Sequence, residues 1–316
     1  MDGQITILDG GMGRELDRMG APFRQPEWSA LALMEAPHCV LRAHRAYVEA
    51  GAAVVTTNSY ALVPFHIGAE RFAAQAETLA DLAGRLAREA AEAAPRPVKV
   101  AGSLPPLFGS YRPDLFDAAR APELLAPLVA GLAPHVDLWL AETQSAVAEA
   151  EAARAAVPRD GRPFWLSFTL TDAEPDLADP RLRSGEAVAD AVRAAVGLDV
   201  AALLFNCSHP EVMAGALAAA RRTLADLGAK VPLGVYANAF VDTHQDTAAN
   251  ADLSDLRGEL TPARYLAFAK NWVAQGACIV GGCCGIGPEH IAALGAEFDQ
   301  RGSGSPPDSR ADPGSP

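Results

Sequence analysis

The chain has 316 residues, half of them hydrophobic, with five cysteines and a formal net charge of −13. That length supports one large domain with a substantial core, and the acidic balance excludes the basic footprint that nucleic-acid binding requires. No apolar run approaches the roughly 18 residues of a membrane span and no charged-then-apolar leader opens the chain, so a cytoplasmic protein with reduced thiols is expected.

Strands are expected at 5–11 (ITILDGG), 52–60 (AAVVTTNSY), 98–103 (VKVAGS) and 136–143 (VDLWLAET). Four more are expected at 163–170 (PFWLSFTL), 200–208 (VAALLFNCS), 232–239 (PLGVYANA) and 277–284 (ACIVGGCC). Each pair is bridged by helical sequence such as PHCVLRAHRAYVEAG or PELLAPLVAGLAPH. Alternation of this kind predicts parallel strands with crossover helices. The runs are almost continuously apolar, as strands covered on both faces are. Eight units in about 300 residues predict a (β/α)8 TIM barrel as a single domain over residues 1–299, in preference to a doubly wound sheet of six or seven strands. GGMGREL lacks the third spaced glycine of a dinucleotide-binding loop. Residues 300–316 are Gly, Ser, Pro and charge without core-forming residues, and a disordered tail is expected there.

In such a barrel chemistry collects where the strands end. Polar residues fall there repeatedly: Asp9-Gly10-Gly11, Thr56-Thr57-Asn58, Glu142-Thr143, Asn206-Cys207, Asn238 and Gly281-Gly282-Cys283-Cys284. An odd number of cysteines makes a poor disulfide framework, and a cluster in a reducing compartment points to metal or catalysis. Closure puts strand eight two positions from strand six, so Cys207 could meet Cys283 and Cys284 across the mouth. Three thiolates about 2.3 Å from Zn²⁺, with a fourth position open, make a catalytic zinc site. A vicinal disulfide and three inert buried thiols are the alternatives. Glycines at 281, 282 and 285 would let the backbone bend until both adjacent cysteines face inward. His209 is an additional candidate ligand, whereas Cys39 and Cys278 are expected to fill space. Trp28, in the loop after strand one, offers an aromatic face to a cation.

NCS at 206–208, GGCCGIGPEHI at 281–291 and the opening LDGGMGREL together resemble the homocysteine S-methyltransferase family, over a span from Asp9 to about Ile291. The segment PEWSALALMEAPHCVLRAHRAYVEAGAAVVTTNSY further resembles the branch that uses sulfonium donors. The resemblance implies a (β/α)8 barrel with Cys207, Cys283 and Cys284 as zinc ligands. It also implies that Asp9, Gly10 and Glu142 grip the amino-acid end of homocysteine. Glu142 suits an α-ammonium group, and the amides near Gly10 and Gly11 suit a carboxylate. Asn58 and Asn238 are further candidates for substrate contact. The chain departs from the family where it reads YANAF in place of the frequent Tyr-Pro-Asn.

The implied activity is methyl transfer from S-methylmethionine or S-adenosylmethionine to the thiol of L-homocysteine, giving methionine, with zinc as cofactor. Only a thiolate attacks a methyl group, and a free thiol is mostly protonated at neutral pH. A zinc site ionises it, so no general base is needed. Two other readings stay open here: a thiol methyltransferase using betaine or another donor, and a non-catalytic zinc- or thiol-binding module. The acids Asp9 and Glu142 speak against the module, which has no evident use for them.

Overall fold

In the computed structural model, which describes residues 5–173, 175–241 and 255–298, strands and helices alternate along the chain. The strands are β1 (Thr6–Ile7), β2 (Val54–Thr56), β3 (Lys99–Leu104), β4 (Leu138–Gln144), β5 (Phe164–Phe168), β6 (Ala202–Asn206), β7 (Leu233–Tyr236) and β8 (Ala277–Val280). Each falls on its expected segment, β3 and β4 running one residue past it. All ladders are parallel, in the order β1-β8-β7-β6-β5-β4-β3-β2. A parallel bridge from Leu8 to Val54 joins the first strand to the second. Ala53 N donates to Ile7 O at 2.8 Å and Asp9 N to Val54 O at 3.1 Å, so the sheet closes on itself as a (β/α)8 barrel. Closure leaves no open sheet edge. The tail expected over 300–316 lies outside the described residues.

The two-residue period of the strands produces two apolar layers. Leu8, Val54, Leu138, Leu140, Leu204 and Ile279 fill the barrel interior. The alternate residues, among them Val55, Val100, Phe164, Leu203 and Val235, pack outward against the helices. Those helices present small residues. Helix Ala69–Glu92 buries Ala76, Ala80, Ala83, Ala87 and Ala91 along one stripe. Its neighbour Ala121–Leu132 comes so near that a Cβ on Gly131 would lie 2.3 Å from Glu77 O. Thin faces let a full ring of helices sit close to a narrow barrel.

Apart from β3 and β4, the ladders stop short of the expected strand ends, most clearly at β1, which keeps two of seven residues. Beyond most ladders the chain turns to polar residues or glycine. These residues leave the sheet and form the wall of the C-terminal mouth. Among the described residues no helix is long and apolar enough to cross a membrane.

Candidate active site

A cavity opens at this mouth, lined by residues from most of the strand ends. Asp9, Gly10, Gly11, Trp28, Asn58, Glu142, Cys207, Cys283 and Cys284 all line it. Sequence reasoning also leaves out several lining residues, notably Arg14, Tyr60, Ser110, Tyr111 and Tyr236.

The Sγ atoms of Cys207, Cys283 and Cys284 lie within 4.8 Å of one another. All five cysteines are free, so the vicinal disulfide does not form. Cys207 Sγ and Cys284 Sγ are 3.8 Å apart. Two ligands of a tetrahedral zinc, each at about 2.3 Å, are separated by about 3.8 Å. The donor set fits as well. The Cys283 and Cys284 thiols hydrogen-bond the Cys207 sulfur and hold its pKa well below the ordinary thiol value, with help from Tyr111 and Arg183. The same bonds to Cys207, together with burial, push Cys283 and Cys284 up. Without a cation the cluster favours one thiolate held by two thiols. A divalent ion would replace the shared protons and balance three negative sulfurs, so the residues fit a soft metal.

The local backbone explains how neighbouring residues reach one point. In β6, Ala202 and Leu204 face the interior, so Asn206 is the next inward position and Cys207 would point outward. Cys207 instead takes the left-handed region at φ +51°, which breaks the alternation and turns its side chain into the cavity. Thr143 does the same after Glu142, at φ +60°. Such strain costs about 1–3 kcal/mol at each residue and persists only where neighbours enforce it. Asn206 does so. Its Oδ1 accepts from Thr143 N at 3.0 Å and from Ser167 Oγ at 2.7 Å, while its Nδ2 donates to Thr143 Oγ1 at 2.8 Å.

The glycines that follow β8 act differently from the expectation. Only Gly285, at φ +82°, supplies a bend that disfavours a side chain. Gly281 and Gly282 are needed for close approach. A Cβ at Gly281 would lie 2.4 Å from Leu8 Cβ, and one at Gly282 would lie 2.2 Å from Ile286 Cγ2. Gly11 serves the same end, since its Cβ would stand 2.6 Å from Cys283 O.

The acids are buried. Glu142 Oε1 accepts from Ser103 Oγ at 2.5 Å and Oε2 from Tyr236 OH at 3.3 Å. Burial pushes Glu142 up to about 7, against the pull of these donors. Asp9 is also pushed up to about 7, chiefly by burial and further by Glu142. Its two oxygens already accept from Thr56, N at 2.7 Å and Oγ1 at 3.1 Å. Asp9 therefore ties β1 to β2 as well as facing the cavity.

Four of the expected site residues have other partners in the structure. The Gly11 amide donates to Ile286 O at 3.0 Å and is not available to a carboxylate. Asn238 is fully buried and lies outside the cavity lining; its Oδ1 accepts from Phe240 N at 3.4 Å, which makes it a loop cap. Asn58 lines the cavity but donates Nδ2 to Ser29 O at 3.1 Å, joining two loops. His209 stands outside the sulfur cluster; it occupies the position just before the following helix, and its N donates to Asp172 Oδ2 at 3.1 Å. Trp28 does line the cavity, packed edge-on against Phe23 with ring centroids 5.2 Å apart.

A closed parallel barrel with three free thiols converging at its C-terminal mouth defines an α/β-barrel enzyme with a sulfur-ligand centre. The sequence profile of the family described as Homocysteine S-methyltransferase matches residues 6–298. A homocysteine S-methyltransferase from Escherichia coli (strain K12) is 34% identical, covering 92% of this chain and 94% of the relative. Homocysteine S-methyltransferase 1 from Zea mays is 26% identical, with 92% and 94% covered. The metallated form of the homocysteine methyltransferase MmuM from Escherichia coli superposes with a TM-score of 0.73 at 32% identity, covering 93% of this chain and 96% of that one. The chain belongs to the homocysteine S-methyltransferase family. It is a methyltransferase, and the reading as a non-catalytic binding module is set aside.

Proposed function

We propose that the protein transfers a methyl group from a sulfonium donor, S-methylmethionine or S-adenosylmethionine, to the thiol of L-homocysteine, with zinc held by Cys207, Cys283 and Cys284. The observation that carries this reading is the convergence of three sulfurs on a cavity that also holds Glu142. Bound there, zinc would keep the acceptor sulfur deprotonated at neutral pH.

The chain's own residues then have defined work. Glu142 receives the α-ammonium of homocysteine. A cation brought against this buried carboxyl draws it to the ionised form, and Ser103 and Tyr236 hold its two oxygens in place. Arg14 is the sole Arg or Lys lining the cavity among the described residues, and it supplies the charge that a carboxylate needs. This takes over the part expected of the Gly11 amide. Trp28 offers its face to the donor's positive charge, a contact worth about 0.5–2 kcal/mol. The acceptor sulfur attacks the methyl carbon while the bond to the donor sulfur breaks, leaving its electrons on a neutral thioether. The thiol proton goes to solvent. Positive charge disappears as products form, so catalysis rests largely on holding sulfur and methyl in line.

The test is an activity screen of zinc-loaded protein with homocysteine and each of S-methylmethionine, S-adenosylmethionine and betaine. Elemental analysis and X-ray absorption are run on the same material. Turnover with a sulfonium donor and about one zinc per chain on three sulfurs are expected. Turnover with betaine alone would overturn the donor, and a site dominated by nitrogen ligands would overturn the metal centre.

A further inference from the structure

Cys207 is held by a set of polar groups that methyl transfer does not itself require. Tyr111 lies in the loop after β3 at φ +64°, a left-handed conformation rare for a bulky residue. Its hydroxyl stands 3.0 Å from Cys207 Sγ and 3.1 Å from Cys207 O, and donates toward both. Behind the ring lies the Arg183 guanidinium, with its carbon 3.9 Å from the ring centroid. Arg183 pairs with Asp172 at 2.9 Å, with side-chain exposures of 7% and 0%. Its Nε donates to Thr169 Oγ1 at 3.2 Å, and Thr169 Oγ1 donates to Cys207 O at 3.3 Å. Asp172 Oδ2 accepts from the backbone N of His209, two residues past Cys207.

A buried ion pair is a weak source of stability, because desolvation offsets most of the attraction. A purely structural role at this place would be filled as well by apolar side chains. What distinguishes the arrangement is its direction. The links from Tyr111, Thr169 and Asp172 end on Cys207 or its immediate neighbourhood, and that of Tyr111 ends on the sulfur itself. Neither Cys283 nor Cys284 has a tyrosine hydroxyl of this kind among the described residues.

We infer that Tyr111, backed by Arg183 and Asp172, is a positioning residue for the Cys207 sulfur. The inference rests on the reading of the three thiols as metal ligands. A hydroxyl donating to a ligand sulfur fixes the direction of its remaining lone pairs and draws electron density out of it. The cation over the ring polarises the phenol and makes it a better donor, while Asp172 holds the guanidinium in place. The centre is therefore asymmetric, with Cys207 donating less charge than its two neighbours. Partners of this kind commonly change metal affinity by about 10–100-fold.

Cobalt(II) in place of zinc makes the sulfurs visible, because each thiolate gives a sulfur-to-cobalt charge-transfer absorption whose energy reports its lone pairs. Tyr111→Phe removes one hydroxyl and leaves the ring and its packing. In this variant the charge-transfer band should move to lower energy, and cobalt and zinc affinities should fall about 10–100-fold with one metal per chain retained. Arg183→Met keeps the stem but removes the charge, and it should move the band the same way by a smaller amount. Tyr111→Phe with wild-type band and affinity would overturn the inference even if Arg183→Met proved unstable. Wild-type protein that takes up no cobalt through sulfur would overturn the metal reading and this inference with it.

Discussion

Cys207 and Cys278 share a side chain but not an environment. Cys207 Sγ sits 3.8 Å from Cys284 Sγ, whereas Cys278 packs against the barrel-interior cluster and its Sγ approaches Leu233 O at 3.6 Å. Cys207→Ala should abolish metal binding and turnover while leaving far-UV circular dichroism intact, since the core does not depend on a rim thiol. Cys278→Ala should retain both. Reversed phenotypes would refute the choice among the cysteines. Glu142 is the second decisive residue. Replacing it by Gln keeps size and reach but removes the charge, and a lost charge-assisted contact costs about 1.5–3 kcal/mol. The acceptor KM should rise by roughly one to two powers of ten with metal content unchanged. A pH signature accompanies this. Glu142 is pushed up to about 7, so the carboxylate that clamps an ammonium gains population as pH rises through 7. Wild-type acceptor KM should fall across that range, and the Gln variant should lose the limb. An acceptor without the amino group, 4-mercaptobutyrate, should be poor for both proteins. Its equal performance with homocysteine would remove Glu142 from the role.

Strand ends, more than strands, build this site. The alternation of inward and outward residues allows one inward side chain in two, yet Asn206 and Cys207 both serve the mouth. The left-handed turns at Cys207 and Thr143 solve this on β6 and β4, and close backbone contact solves it on β8. Gly281→Ala tests the second device. The new Cβ would meet Leu8 Cβ at 2.4 Å and Asp9 O at 3.0 Å, both tied to the backbone of the neighbouring strand. Overpacking of this kind costs about 1–3 kcal/mol. Urea unfolding should show that loss, and metal affinity should fall as well, because β8 carries Cys283 and Cys284 with it. A variant as stable as wild type, with unaltered metal binding, would show that the two strands can separate freely.

For the molecule as a whole, buried titratable groups set how stability depends on pH. His44, on helix Pro37–Glu49, is fully buried and neither ring nitrogen has a hydrogen-bond partner. Burial pushes it down to about 4 from 6.5. Between those values the unfolded chain binds the proton and the folded chain does not, so this stability is lost as pH falls from about 6.5 toward 4. By pH 5 the loss is about 2 kcal/mol. Asp9, Glu142 and Glu149, all pushed up to about 7, have the opposite sign and lose stability as pH rises from about 4 to 7. His44→Leu, similar in volume, removes only the acid limb. The stability difference between wild type and variant should widen in favour of the variant from pH 8 to pH 5, read from urea midpoints. A constant difference would place the acid sensitivity elsewhere.

Much of this was written in the chain itself. Eight apolar runs with helical sequence between them specify a closed parallel barrel, because strands buried on both faces and joined by crossovers have few other ways to pack. The three cysteines stood out for the same local reason, as thiols at strand ends flanked by glycine or by polar residues. The contributions of Tyr111, Arg183, Asp172 and Arg14 carried no such mark. They come from loops or a helix turn, far in sequence from the groups they meet, as for Tyr111 and Cys207, 96 residues apart. Only the closed barrel makes them neighbours. Asn58 and Asn238 show the converse: the same residue type at equivalent strand ends faces the cavity in one case and is buried away from it in the other. Their partners, Ser29 O for Asn58 and Phe240 N for Asn238, come from the folded loops around each residue and not from the residue type.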